Sequence, residues 1–329
     1  MNINPDLLQA AQRSLQRAVL WHLFDPNVSL IDLGWRILDR QGQAIEPELC
    51  VRVHVRHKLR GPDFKAFASR HPERVFDARR IGFPVDVPQA NYKMHLWPIT
   101  WPTPATVPPA NPRDQVFNPL VGGITIFNPL RSLYGTLGGK VADRQTGREM
   151  ILSNWHVLAG AWSVPPELPI YQPHQINGRR LQEPIARLTR HAVDRHLDAA
   201  VAATTGLRPL SNEQLGLGPV TGAKTPELGL RVSKSGRGSE VTSGVITGVG
   251  GYRVRYYDGM QQVIRHIVHI AQTAEGGPVS SPGDSGSLWL EAGTRRAVGL
   301  HFIGSDAPEY ALALEMQPVL DALKVDLVV

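Results

Sequence analysis

The chain has 329 residues, of which 42% are hydrophobic and 19% charged, and its formal net charge is +6. This composition excludes a collagen, a coiled coil and a wholly disordered chain, and no apolar run reaches the roughly 18 residues that a membrane-spanning helix needs. A single cysteine, Cys50, excludes an internal disulfide and a cysteine-built metal site. The twelve histidines are scattered, the pair His266 and His269 lacks the spacing of a zinc protease motif, and no nucleotide-binding loop stands out, so we expect neither a cofactor nor a metal.

The first hundred residues carry the signals of a small α/β domain. Residues 1–6 lack the basic start and apolar core of a signal peptide, so we expect a cytoplasmic protein. Apolar residues at three- and four-residue steps predict an amphipathic helix over 5–24, with Asn4 as its N-cap. Strand signals follow at 29–38 and 48–59.

The strand at 48–59 is unusually basic. Its polar side chains alternate with apolar ones and are Cys50, Arg52, His54, Arg56 and Lys58. This alternation predicts a half-buried strand whose basic face meets solvent. Residues 51–80 contain nine lysines or arginines against three acids, so their balance equals the net charge of the whole chain. We expect an acidic partner, if there is one, to bind this segment.

Seven prolines between residues 97 and 119 predict a stiff linker. The chain then divides into an N-terminal α/β domain over 1–96, a linker over 97–119 and a second domain over 120–329. In the second domain, short apolar runs alternate with turn residues, which is typical of an all-β sandwich or barrel.

Three segments of the second domain carry groups for nucleophilic catalysis. They contain His156, Asp198 and Ser285, in that order. A serine hydroxyl is a weak nucleophile until a base removes its proton; a histidine can be that base, and an aspartate can orient the imidazole. Gly283 permits a tight turn, after which the amides of Gly283 and Ser285 can face one oxygen. The sequence predicts a His–Asp–Ser triad with a backbone oxyanion hole.

These segments resemble the trypsin/chymotrypsin-like serine proteases. Gly-Asp-Ser-Gly-Ser at 283–287 matches the nucleophile motif, Ser-Asn-Trp-His at 153–156 matches the histidine segment, and Asp198 before an apolar run matches the aspartate. The similarity is to a bacterial and plant branch, in which an accessory domain often precedes the protease. The resemblance implies a serine endopeptidase of mainly β fold, a chymotrypsin-like double β-barrel preceded by a small α/β domain.

Three alternatives stay open. Asp194 competes with Asp198 for the role of the acid, although only Asp198 leads directly into an apolar run. A cut near Leu120 would create an apolar N-terminus that could pair with Asp284 and activate the enzyme. The second functional hypothesis is a catalytically weak or inactive protease fold that recruits a partner through its basic N-terminal domain.

The resemblance also implies a pocket for the P1 side chain of the substrate, made by Val279, Ser280, His301 and Gly304. Relatives that cut after Lys or Arg carry an acid where this chain has Val279, so we do not expect trypsin specificity. Relatives that cut after Glu or Gln carry a histidine at the position of His301, and several add a hydroxyl at that of Ser280. Since histidine can donate to a carboxylate or amide oxygen, we expect Glu or Gln at P1, with a small or apolar P1 as the alternative.

Overall fold

A computed structural model of the protein describes residues 3–38, 45–92, 97–98, 111–130, 133–165, 167–172, 175–176, 179–180, 183–257, 260–273, 277–306 and 309–329. The α-helices within these ranges are α1 (Pro5–His22), α2 (Gly61–Arg70), α3 (Ala78–Ile81), α4 (Trp155–Leu158) and α5 (Met316–Leu323). Every helix in these ranges is too short or too polar to cross a lipid bilayer.

The described residues are mainly β. The strands are β1 (Val28–Ile37), β2 (Ile45–Val55), β3 (Val85–Asp86), β4 (Trp97–Pro98), β5 (Leu120–Gly122), β6 (Thr125–Asn128), β7 (Leu133–Thr136), β8 (Gly139–Asp143), β9 (Glu149–Ser153), β10 (Pro169–Ile170), β11 (Gln175–Ile176), β12 (Arg179–Arg180), β13 (Ala186–His191), β14 (Ala200–Thr204), β15 (Leu210–Gln214), β16 (Gly218–Pro219), β17 (Arg231–Gly236), β18 (Glu240–Tyr257), β19 (Met260–Ala271), β20 (Leu288–Glu291), β21 (Ala297–Asp306), β22 (Glu309–Glu315) and β23 (Val325–Leu327). Short 3-10 helices lie at Pro72–Arg74, Pro112–Asp114 and Val193–Arg195.

The first barrel is built on a six-stranded antiparallel sheet in the order β10-β13-β14-β9-β8-β23. Its core includes Ile151, Trp155, Ile170 and Ile185, all with no exposed side-chain surface or almost none. An additional bridge between Phe127 and Tyr171 brings β6 against the β10 side of this sheet.

The second barrel is part of a nine-stranded sheet in the order β17-β20-β21-β22-β19-β18-β1-β2-β3. Strand β17 also pairs with β18, so the first six of these strands close on themselves. Buried Val232, Ile246, Ile270 and Trp289 fill this barrel. The mainly β, double-barrel prediction is confirmed.

The N-terminal strands continue the sheet of the second barrel. Strand β1 lies antiparallel to the middle of β18, with Leu33 opposite Val249 and Gly34 opposite Gly248. Helix α1 covers β1 and β2 through an apolar face that includes Leu15. The Asn4 side chain accepts a hydrogen bond from the Asp6 amide at 2.8 Å, which confirms the predicted N-cap.

The predicted solvent-facing basic face of β2 is wrong. Arg52 and His54 are fully buried, because their side chains contact Asp32 on the neighbouring strand β1. The Arg52 Nε donates to Asp32 Oδ1 at 2.8 Å, and His54 Nε2 lies 3.3 Å from the same oxygen. His54 Nδ1 is 2.8 Å from the Tyr92 hydroxyl. These ionic groups therefore lie within the protein and not on a binding surface.

Most of the predicted linker, residues 99–110, lies outside the described residues. At its end, Asp114 pairs with Arg237 at 3.1 Å and accepts a hydrogen bond from the Thr125 hydroxyl at 2.5 Å. This end therefore packs on the barrels. The domain limits at residues 96 and 119 stay predictions.

Candidate active site

Pairing of β9 with β14 brings His156 and Asp198 together. Ser153, at the end of β9, lies opposite Ala200, at the start of β14. Helix α4 begins just after β9 and carries His156, and Asp198 lies just before β14. The distance from His156 Nδ1 to Asp198 Oδ2 is 2.6 Å, and the His156 amide donates to Asp198 Oδ1 at 3.0 Å.

The His156–Asp198 pair is buried, and its surroundings lower the pKa values of both groups. Burial lowers the pKa of His156, Asp198 opposes that shift, and Arg255 adds to it. Burial alone would raise the pKa of Asp198, but His156 and the Arg255 guanidinium hold it below its usual value. At neutral pH the His156 imidazole is therefore neutral and the Asp198 carboxylate is ionised. A general base requires this neutral imidazole.

The competing acid lies elsewhere. Asp194 has two thirds of its side chain exposed, and its carboxylate lies 3.9 Å from His191. Neither group contacts His156. Of the two acids that the sequence left open, only Asp198 is placed to orient the His156 ring.

Strand β7 connects the segment that contains Ser285 to the segment that contains His156. The Thr136 amide donates to the Ser285 carbonyl at 2.8 Å, and the Ser153 hydroxyl donates to the Thr136 carbonyl at 2.8 Å. Gly286 has φ +98°, and a Cβ there would lie 2.1 Å from Ser153 Oγ, so only glycine fits. Ser285 is thereby held beside the end of β9, from which α4 and His156 follow.

The hydroxyl of Ser285 and Nε2 of His156 are both buried. Neither forms a hydrogen bond with any residue that the structure describes. The hydrogen bond between His156 and Asp198 is thus present, whereas the one between Ser285 Oγ and His156 Nε2 is not formed. Such links are often long until a substrate binds.

The backbone amides of Gly283 and Ser285 are the donors that the sequence predicts for an oxyanion hole. Gly283 has φ +102°, in the region that favours glycine. Its carbonyl accepts a hydrogen bond from the Thr136 hydroxyl at 2.8 Å. The amides of Gly283 and Ser285 donate to no residue in the described part of the chain. Two free N–H donors, separated by one residue, fit the requirements of an oxyanion hole.

Asp284, between these two amides, is tightly bound. Its carboxylate lies 2.7 Å from Lys234 Nζ, and both side chains are fully buried. It also accepts the amides of Gly238 at 2.7 Å, Ser239 at 3.0 Å and Ser281 at 2.8 Å. Burial would raise the pKa of Asp284, but Lys234 brings it to about 2. Asp284 is therefore paired with a cation in the intact chain, and Leu120 pairs in a strand with Leu210. Activation by a cut near Leu120 stays a prediction.

The predicted P1 residues lie in the core of the second barrel or next to it. Val279 is buried in the same cluster as Trp289, whose indole N–H points at His301 Nδ1 with 3.4 Å between the nitrogens. Ser280 is buried, and its hydroxyl has no hydrogen-bond partner among the described residues. Gly304 lies on β21 opposite Ala311, another residue of the cluster.

Two residues that contact this site were missed by the sequence analysis. Arg255 Nη1 forms a short ion pair with Asp198 Oδ2, and Glu309 Oε1 accepts the Val279 amide at 2.8 Å and the Ser280 amide at 3.4 Å. Neither lies in a motif, and no local signal connects them to residues so distant in sequence. Within the described ranges, no group of three or more potential metal ligands is clustered.

No protein-family model matches the chain, and no curated protein matches it. Among solved structures, the chain is similar to chymotrypsin-like bacterial serine proteases. It is similar to a Nocardiopsis protease, with 18% identity over 64% of this chain and 99% of that chain and a TM-score of 0.47. A glutamic acid-specific serine protease is 19% identical over 64% of this chain and 100% of that chain, with a TM-score of 0.49. Thermobifida fusca protease A is 14% identical over 64% of this chain and 98% of that chain, with a TM-score of 0.46.

Proposed function

We propose that the protein is a serine endopeptidase in which Ser285 is the nucleophile, His156 the general base and Asp198 the orienting acid. The observation that carries the proposal is the buried 2.6 Å contact between His156 and Asp198. The Ser285 hydroxyl, which forms no hydrogen bond with a described residue, belongs to the segment held beside the end of β9. A buried imidazole–carboxylate pair next to a serine hydroxyl is the arrangement that activates this nucleophile.

In the proposed reaction, His156 Nε2 takes the proton of the Ser285 hydroxyl while Oγ attacks the carbonyl carbon of the scissile bond. The carbonyl π electrons move to its oxygen, which the amides of Gly283 and Ser285 stabilise. Collapse of this intermediate breaks the C–N bond, and His156 returns the proton to the leaving amine. Water then attacks the acyl-enzyme by the same route and restores Ser285.

The direct test is covalent labelling. A fluorophosphonate should attach to the protein, and mass spectrometry of its peptides should place the adduct on Ser285. Peptide hydrolysis should be measured in the same preparation. A protein that neither labels nor hydrolyses would contradict the proposal.

A binding protein without catalysis is the second candidate. It is favoured by the absence of a hydrogen bond between Ser285 Oγ and His156 Nε2. The labelling experiment separates the two candidates. A cytoplasmic location stays a prediction from the sequence.

We propose further that the P1 residue is glutamine in preference to glutamate. With His301 Nδ1 accepting the Trp289 N–H, a neutral His301 ring carries its proton on Nε2 and can donate to a side-chain oxygen of the substrate. The Glu309 carboxylate at the Val279 and Ser280 amides adds negative charge near this pocket. A carboxylate at P1 would be repelled, whereas a neutral amide would not.

We expect His301→Leu to lower kcat/KM for a Gln substrate by about 100-fold, because a polar pocket that loses its donor leaves the substrate oxygen unpaired. Glu309→Gln, which keeps an oxygen for the two amides, should raise the Glu-to-Gln ratio of kcat/KM about tenfold. Matched peptides with Gln, Glu and Leu at P1 provide the measurement. Equal losses on all three peptides in His301→Leu would show that His301 only supports the fold.

We also propose that the N-terminal part binds an acidic peptide segment that carries apolar side chains. A cavity of about 520 Å³ lies between α2 and β3, within the range of ordinary ligand pockets. Phe64, Phe67 and Phe76 line it together with exposed Lys58 and Arg60. Asp25 and Asp86 also line it, and Asp25 is paired with Arg74. Helix α2 has no buried residue, so its apolar side chains are available to a partner.

We expect Lys58→Glu combined with Arg60→Glu to weaken binding of a labelled Glu/Leu-rich decapeptide at least about tenfold, since two attractive charges become repulsive. Fluorescence anisotropy at two salt concentrations measures this affinity. Arg79→Glu with Arg80→Glu is the matched control, because these arginines do not line the cavity. An equal loss in both double variants would indicate unspecific attraction and would contradict a site at the cavity.

A further inference from the structure

The β18–β19 hairpin extends from the second barrel to the loop that carries Asp198. On β19, Gln262 Nε2 donates to the Val193 carbonyl at 2.6 Å, and the Arg265 amide donates to the His196 carbonyl at 3.0 Å. Both acceptors lie within five residues of Asp198. The hairpin is therefore attached to the backbone that precedes the acid.

The same hairpin also holds the carboxylate itself. Arg255, near the end of β18, forms its ion pair with the Asp198 oxygen that faces His156 Nδ1. The Arg255 side chain is 4% exposed and that of Asp198 is completely buried, so water does not screen this contact. Asp198 is thus fixed on one side by His156 and on the other by Arg255.

A cation on this oxygen has two effects on His156. It restricts the carboxylate to the orientation in which it accepts the ring N–H, and it withdraws part of the negative charge that would stabilise an imidazolium. Arg255 accordingly acts to lower the pKa of His156, in the same direction as burial. The charged groups that face His156 in the described part of the chain are Asp198 and Arg255, and Arg253 acts on Arg255 from the same strand.

We propose that Arg255 is a positioning residue of the triad, through which the β18–β19 hairpin holds Asp198 against His156 and sets the pH range of the reaction. This inference rests on the proposed function for its effect on catalysis. Its effect on the ionisation of His156 does not depend on catalysis. A buried arginine on the acid therefore makes the triad sensitive to the placement of a strand that also pairs with β1.

The experiment compares wild type, Arg255→Gln and Arg255→Lys in the full chain. The titration of His156 is followed by NMR, with its signal assigned by its loss in His156→Gln, and kcat/KM is measured against pH. In Arg255→Gln the midpoint of the His156 titration should rise by about one pH unit, and the acid limb of the kcat/KM profile should move with it. The maximal kcat/KM should fall about tenfold because Arg255 no longer holds Asp198.

Arg255→Lys keeps the charge but not the planar fork. Its His156 midpoint should stay near that of wild type, whereas the maximal kcat/KM should fall. Arg253→Gln, two residues away on β18, is the control for general disturbance of the hairpin and should move the midpoint by much less. An unchanged His156 midpoint in a folded Arg255→Gln would overturn the inference.

The two proposals fail separately. If the wild type hydrolyses nothing but the His156 midpoint still rises in Arg255→Gln, the role of Arg255 in holding the pair stands and the protease proposal fails. If the wild type is active and Arg255→Gln lowers the rate without moving the midpoint, Arg255 only supports the fold.

Discussion

Ser285→Ala is expected to lower kcat for peptide hydrolysis by at least about 10⁴-fold, because removal of the nucleophile leaves only the oxyanion donors and substrate binding. KM should change little, since the hydroxyl is small and buried. Initial rates on a fluorogenic peptide, together with fluorophosphonate labelling, measure both effects.

Ser287 provides a matched control two residues away. It is also buried, and its hydroxyl also has no hydrogen-bond partner among the described residues. Ser287→Ala should retain activity within about tenfold, because its hydroxyl has no role in the proposed reaction. If both alanine variants lost activity equally, the loss would reflect packing of the segment and Ser285 would not be the nucleophile.

Lys234→Met is expected to have the largest effect on stability. It leaves the Asp284 carboxylate buried without its cation, and breaking such a pair typically costs about 3–5 kcal/mol. Because Asp284 connects Gly283 to Ser285, we also expect the oxyanion amides to lose their placement and kcat to fall. Urea unfolding gives the free energy of unfolding, and the peptide assay gives kcat.

The double variant Lys234→Met/Asp284→Asn tests the reason for that loss. With neither charge buried, much of the free energy of unfolding should return, although activity should not. A single variant as stable as wild type, or a double variant no more stable than the single one, would show that the buried pair does not hold the segment.

The sequence predicted those features that short segments specify. The runs around His156, Asp198 and Ser285 combine a few chemically demanding residues with apolar strands, and the structure brings the first two into contact. The cap at Asn4 was equally local. The mainly β character followed from the spacing of apolar runs and turn residues.

Contacts between distant strands could not be predicted in this way. Arg255 and Asp198 are 57 residues apart in sequence, and Lys234 and Asp284 are 50 apart. The alternation of polar and apolar residues in β2 correctly indicated a strand. Nothing in the sequence shows that Arg52, on the polar face of this strand, pairs with Asp32 of β1. A single sequence specifies which side chains are charged, whereas the pairing of strands decides which charges meet.

The pairing of β1 with β18 also protects the protein from self-association. Strand β18 has 18 residues, and its middle would present unpaired N–H and C=O groups if β1 were absent. An open strand edge of this kind promotes association with other chains. The N-terminal strands thus act as a cover for that edge, and any event that released them would favour self-association of the barrels.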